Sequence, residues 1–101
     1  MKIDSTDNTL TISGLTELTA ANASTVRDEA RARITASHST IELDLSDVRF
    51  LDSSGLGALI SLHKTMCSQN GQVRLLNPSD TAQQILELTR LHRLFEIART
   101  P

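Results

Sequence analysis

Asp52-Ser53-Ser54-Gly55-Leu56-Gly57 sets an acid, two adjacent hydroxyls and two glycines side by side. His38, His63, His92 and Cys67 are the other side chains that invite a chemical reading. A serine nucleophile needs a base within hydrogen-bond reach and a third group to orient that base. The hydrolase elbow Gly-x-Ser-x-Gly lacks its first glycine, because Leu51-Asp52 precede Ser53. The histidines could serve as base only by a coincidence of folding, so hydrolysis is disfavoured. His63 and Cys67 are four residues apart and would share a helix face. Two ligands fall short of the four of a structural zinc site or the three of a catalytic one. That face reads as apolar, which predicts a half-buried histidine and an inert core thiol. Gly55-Leu56-Gly57 is a fragment of Gly-x-Gly-x-x-Gly with Ile60 at the third glycine, and no Gly-Lys-Ser/Thr follows. No catalytic residue, metal site or cofactor is expected.

Phosphorylation remains. The leading N–H groups of a helix have no internal partner and carry the positive end of its dipole. Asp and Ser are preferred caps at that end. A phosphoserine there adds roughly −1.5 to −2 charges at neutral pH, in a place that favours an anion. It can change which partner docks without changing the fold. On residue types and spacing alone, simple capping by Ser53 and Ser54 is the preferred reading and phosphorylation the second.

The flanking patterns say what must hold this turn. Lys2–Ser5 and Thr9–Ser13, joined by Thr6-Asp7-Asn8, read as an antiparallel hairpin with Leu10 and Ile12 on one side. After Gly14, residues Thr16–Asn22 read as a loop with Thr19 or Asn22 capping a helix from Ala20 or Ala23 to Ala36. Its buried stripe is Ala23, Val26, Ala30 and Ile34. Thr40–Leu45 alternates as a strand, so strand, helix and strand imply a crossover to a parallel neighbour. Ser46–Arg49 reads as an extended loop. A second helix follows from about Ser54 to Gln69, with Leu56, Leu59, Ile60, His63, Met66 and Cys67 on one face. Asn70-Gly71 ends it, the glycine taking the left-handed position. Gln72–Leu76 is a strand, and Ser79 or Asp80 caps a third helix that buries Ile85, Leu86 and Thr89. Leu91, Leu94, Phe95 and Ile97 form a final turn and edge strand. The sum is an α/β chain: a mixed sheet of about four to five strands, opening on a hairpin, with helices mainly on one face.

The 101 residues fit one domain, 1–101. Ten basic and twelve acidic residues leave no basic stripe, and with no Trp or Tyr for stacking, nucleic-acid binding is disfavoured. A single cysteine fits a reducing compartment. No leader and no membrane-length apolar run is seen, so the expected address is cytoplasmic, without membrane insertion, and the expected state monomeric.

Asp44-Leu45-Ser46-Asp47-Val48-Arg49-Phe50-Leu51-Asp52-Ser53-Ser54-Gly55-Leu56-Gly57-Ala58-Leu59 resembles the core motif of STAS domains of the anti-sigma factor antagonist type. Glu17-Leu18, Asn70-Gly71, Leu75–Pro78 and Leu91–Ile97 match the family in place and order. The resemblance implies a STAS fold and a partner switch. The unphosphorylated domain binds a serine-kinase anti-sigma factor, the kinase phosphorylates the serine after the aspartate, and a serine phosphatase reverses it. Carried over, Ser53 is the phosphoacceptor. Asp52, Ser54, Gly55 and Leu56 complete the docking turn, with Thr19 and Asn22 on the loop beside it. Ser54 keeps its reading as a cap. Thr19 stands where many members carry an aspartate, and the chain runs only a few residues past Ile97, where many continue into a further helix. The alternative is a non-phosphorylated STAS subunit of a larger complex, such as a phospholipid-transport ABC system. Such subunits often have a motif eroded at the serine; here it is intact.

Overall fold

The computed structural model describes residues 1–100. Its elements are β1 (Lys2–Thr6), β2 (Thr9–Ser13), β3 (Glu17–Leu18), α1 (Ala23–Arg33), β4 (Thr40–Asp44), β5 (Phe50–Leu51), α2 (Ser53–Cys67), β6 (Gln72–Leu76), α3 (Asp80–Leu88), a 3-10 turn (Leu91–Arg93) and β7 (Glu96–Ala98). Five strands make one sheet in the order β1-β2-β4-β6-β7. The β1–β2 hairpin is antiparallel and every later pairing is parallel, so the expected mixed sheet is present.

The three helical crossovers all advance in the same direction across this sheet. Crossovers of one hand that advance one way stack on one face. That face carries Leu10, Ile12, Ile41, Leu43, Val73 and Leu75, all buried, as strand alternation requires. The opposite face is polar. Glu42 pairs with Arg74 and Arg74 with Glu96 across β4, β6 and β7. Arg74 reaches Glu42 at 2.7 Å and Glu96 at 3.2 Å. The uncovered side of the sheet is thereby closed by charge rather than by a second layer.

Several local expectations change. Residues Glu17–Leu18 and Phe50–Leu51 are short parallel strands, pairing Glu17 with Phe50 and Leu18 with Leu51; two residues carry no periodic signal, so Glu17–Leu18 read as part of a loop and Phe50–Leu51 as no element. Helix α1 stops at Arg33 because Ile34 turns extended (ψ 134°). Asn22 holds the N-cap position but its side chain makes no cap. Its Oδ1 accepts from Thr19 N (2.9 Å) and its Nδ2 donates to the Glu17 carbonyl (2.8 Å). The buried stripe of α2 is Gly55, Ala58, Leu59, Leu62 and Met66. That rotates the expected face, so Cys67 is exposed rather than in the core. Asn70, not Gly71, takes the left-handed conformation (φ 58°). Gly71 is needed for closeness instead, since a Cβ there would stand 2.7 Å from the Ser39 carbonyl oxygen. Ser79 caps α3 by accepting from Ala82 N at 3.1 Å. Ala82 and Leu86 are buried there, whereas Thr89 is exposed and bonds back to the Ile85 carbonyl.

Candidate functional site

Helix α2 starts where β5 ends, and Asp52 is the joint. Its backbone is extended (φ −120°, ψ −173°), and its Oδ1 accepts from Gly55 N at 3.0 Å. This is a side-chain cap on an otherwise orphan helix donor. The other oxygen, Oδ2, accepts from Ala20 N at 3.0 Å. One carboxylate therefore ties the tip of α2 to the Thr19–Asn22 loop. Asp52 N also donates to the Leu18 carbonyl at 3.3 Å.

The cap falls on Asp52 alone. Ser53 and Ser54 are the first two residues of the helix, so Ser54 is not the cap it was expected to be. One acceptor with the right spacing to the third residue of the helix suffices, and the acid provides it. Both serines are exposed. Ser53 thus stands in solvent on the first turn, where the helix dipole is positive.

Gly55 is buried, with no room for a side chain: a Cβ would lie 1.9 Å from the Leu18 carbonyl oxygen. The bare Cα lets β3 cross close against the helix tip. Gly57 is the reverse, exposed with nothing within 4 Å of an added Cβ. Leu56 is half-buried against the core. The structure brings the Thr19–Asn22 loop beside the Asp52–Ser54 turn, but most of that loop's polarity is used internally. Thr19 Oγ1 donates to Glu17, and Asn22 is engaged as above. Between the two helix starts, Ala20, Ser24, Arg27, Ser54 and Gly57 line an open groove of about 400 Å³.

Phe50 was not among the expected docking residues. It is 66% exposed on β5, two positions before Asp52. Its exposure follows once β5 is formed: Leu51 is buried, and in a strand the neighbour of a buried residue faces out. The three histidines have partners elsewhere. His38 bonds Ser5 Oγ and Thr35 N, His92 the Leu86 carbonyl, and His63 contacts Cys67.

The amide donors of Gly55, first, and then Ala20 hold the Asp52 carboxyl below its ordinary 3.8. A depressed carboxylate pKa contributes stability that is present above the unfolded value and lost as pH falls through the folded one. Asp52→Asn keeps the size but removes the charge. The wild-type chain is therefore expected to melt higher than Asp52→Asn at pH 7, and the gap to shrink as pH falls below 3.8. Parallel melts from pH 7 to pH 3 check this; a gap independent of pH would separate the clamp from the carboxylate's charge.

A family model described as STAS domain matches residues 1–101. The chain belongs to the STAS domain family. A Thermotoga maritima protein provisionally named an anti-sigma factor antagonist is 35% identical over 63 residues, which cover 62% of this STAS domain and 56% of that relative. The chain thus matches little more than half of the relative's length. A crystal structure from the same organism, under the same provisional name, superposes with a TM-score of 0.88 at 26% identity, covering 99% of this chain and 86% of that one. The anti-sigma factor antagonist SpoIIAA shares the fold in its unphosphorylated form (TM-score 0.85, 22% identity, 99% and 87% coverage). It has also been solved in a phosphorylated form (TM-score 0.74, 22% identity, 99% and 90% coverage). No helix of the described residues is long and apolar enough to cross a membrane.

Proposed function

We propose that this STAS domain is an anti-sigma factor antagonist working as a partner switch. With Ser53 free it binds a serine-kinase anti-sigma factor; with Ser53 phosphorylated it lets go, and a serine phosphatase resets it in the cytoplasm. The observation that carries this reading is the exposure of Ser53 on the first turn of α2, directly after a cap supplied by Asp52. A kinase can reach the hydroxyl without unfolding anything. Phe50 offers an apolar anchor beside it, of the aromatic kind that interfaces favour. The names of the relatives, and a fold-mate solved both with and without phosphate, agree with it.

The switch needs no change of fold. The Asp52 carboxylate already occupies the Gly55 amide, and like any aspartate it is ionised at neutral pH. A phosphate on Ser53 adds roughly −1.5 to −2 charges next to it. The docking face passes from one exposed anion to a cluster, with the bulk of a phosphoryl group as well.

Incubation with ATP and a cognate histidine-kinase-like serine kinase from the same genome should add one phosphate. Fragment masses should place it on Ser53. Ser53→Ala should take none and still bind the kinase. A phosphate mapped to Ser54, or none from any such kinase of the same genome, would contradict the proposal and favour a subunit that packs permanently on another protein.

A further inference from the structure

The fold gives Gly57 no reason to be glycine. Among the described residues the one glycine with positive φ is Gly14, so the backbone at 57 does not demand it. Nothing lies within 4 Å of an added Cβ there, so packing does not demand it either. Gly55 is the contrast, because the chain itself fills the space beside it. A glycine inside a helix weakens that helix relative to alanine. The bare Cα at 57, exposed on α2, is therefore open to something outside the chain.

Gly57 lies on the open groove between α1 and α2. Ala23 and Ala58 are buried at the floor of this slot. Ser24 and Arg27 flank it on one side, Ser54 and Gly57 on the other. One turn further along each helix, Arg31 donates across to Ser61 Oγ and closes the far end. From Ser54 to Ser61 is about 10 Å at ~1.5 Å per residue, room for a short segment of another chain. The near end opens at the Ser53–Ser54 turn.

The slot is positive. Among the described residues, none that lines it is acidic. Both helices begin at this end with no acid in the first turn, so their positive dipole ends meet here. The Asp52 carboxylate nearby is engaged by the Gly55 and Ala20 amides. Arg27 is half-buried along the slot. Asp28 engages its Nε at 2.9 Å, an exposed pair of the weak kind. The two terminal nitrogens are left to grip a carboxylate side by side. We propose that this slot receives a carboxylate-bearing segment of the serine-kinase partner, its main chain against Gly57 and its carboxylate on Arg27. This rests on the kinase-binding reading above and extends its docking face beyond the Asp52–Leu56 turn. It also says what a phosphate on Ser53 would repel. Ser53 is next to Ser54 on the lip of the slot, so the added charge would meet the carboxylate as it enters.

A cognate serine kinase from the same genome should be titrated calorimetrically with the chain and its variants, each variant checked by a urea melt. Gly57→Gln fills the slot and is expected to weaken binding about 30-fold or more, with a urea midpoint at or above wild type. Arg27→Glu should weaken binding about 10-fold or more. Arg93→Glu makes the same change of net charge on the turn after α3, outside the slot, and should bind like wild type. A folded Gly57→Gln with wild-type affinity would overturn the proposal. So would an Arg27→Glu chain that binds no more weakly than Arg93→Glu, a comparison that decides even if Gly57→Gln fails to fold. If the wild-type chain binds the kinase and takes phosphate on Ser53, and the slot variants do both equally well, the slot falls and the switch stands. If the wild-type chain binds no such kinase, both fall.

Discussion

Gly55→Ala is expected to cost about 3–5 kcal/mol of stability, the upper end for a single substitution and the mark of an overpacked site. The added carbon would lie 1.9 Å from the Leu18 carbonyl oxygen, 2.7 Å from its carbon and 2.9 Å from Leu51 Cδ1. The two Leu18 atoms are backbone and cannot give way cheaply. Leu18 is paired to Leu51 in the β3–β5 ladder, and its carbonyl accepts from Asp52 N. Moving it away uncouples the helix tip from the loop that Asp52 holds through Ala20. Domains are stable by only about 5–15 kcal/mol, so such a loss takes a substantial share of the total. Gly57→Ala is the control, two residues along the same helix. Nothing lies within 4 Å of an added Cβ there, and alanine is favoured over glycine in a helix by about 0.8–1.0 kcal/mol. Urea melts should show Gly55→Ala unfolding far earlier than wild type and Gly57→Ala at or above it. Equal midpoints for the two glycine variants would refute the packing described at the helix tip.

The second large effect is on binding. A phosphate on Ser53 is expected to weaken kinase binding at least about 100-fold, roughly 2.7 kcal/mol. Like charges brought together at an interface cost several kcal/mol, and Asp52 already presents one anion there. Some of the gain of placing an anion at a helix start is forgone, because the carboxylate holds the Gly55 amide that a phosphate would otherwise use. Backbone rearrangement is not required. Because Ser53 is exposed, the electrostatic part should be screened by salt. The gap between the two forms should narrow, but not close, as ionic strength rises, since the bulk of the phosphoryl group remains.

The turn itself could be read from sequence because residue type and pattern change together there. Alternation ends, an acid and two hydroxyls follow, and helical spacing begins. The hairpin, the order of the main elements and the parallel crossover were legible for the same reason. What escaped were features set by distant partners. Nothing local tells that the second oxygen of Asp52 meets Ala20, 32 residues away, or that Gly55 lies under Leu18. The strands β3 and β5 were invisible because each is only two residues long. Asn22 looks like a cap and is instead drawn to Glu17 and Thr19. The face of α2 was misplaced because Ile60, His63 and Cys67 can serve either a core or its margin. Leu62, fully buried, shows where the stripe runs. That rotation leaves Cys67, read as a core thiol, exposed.

The decisive measurement is a calorimetric titration of the serine-kinase partner with this chain in two forms, unmodified and carrying phosphoserine at position 53 alone. Tight binding of the first and binding at least about 100-fold weaker for the second, with circular dichroism unchanged between them, is the predicted result. Equal affinity of the two forms would contradict the account, whatever residue the kinase is found to modify.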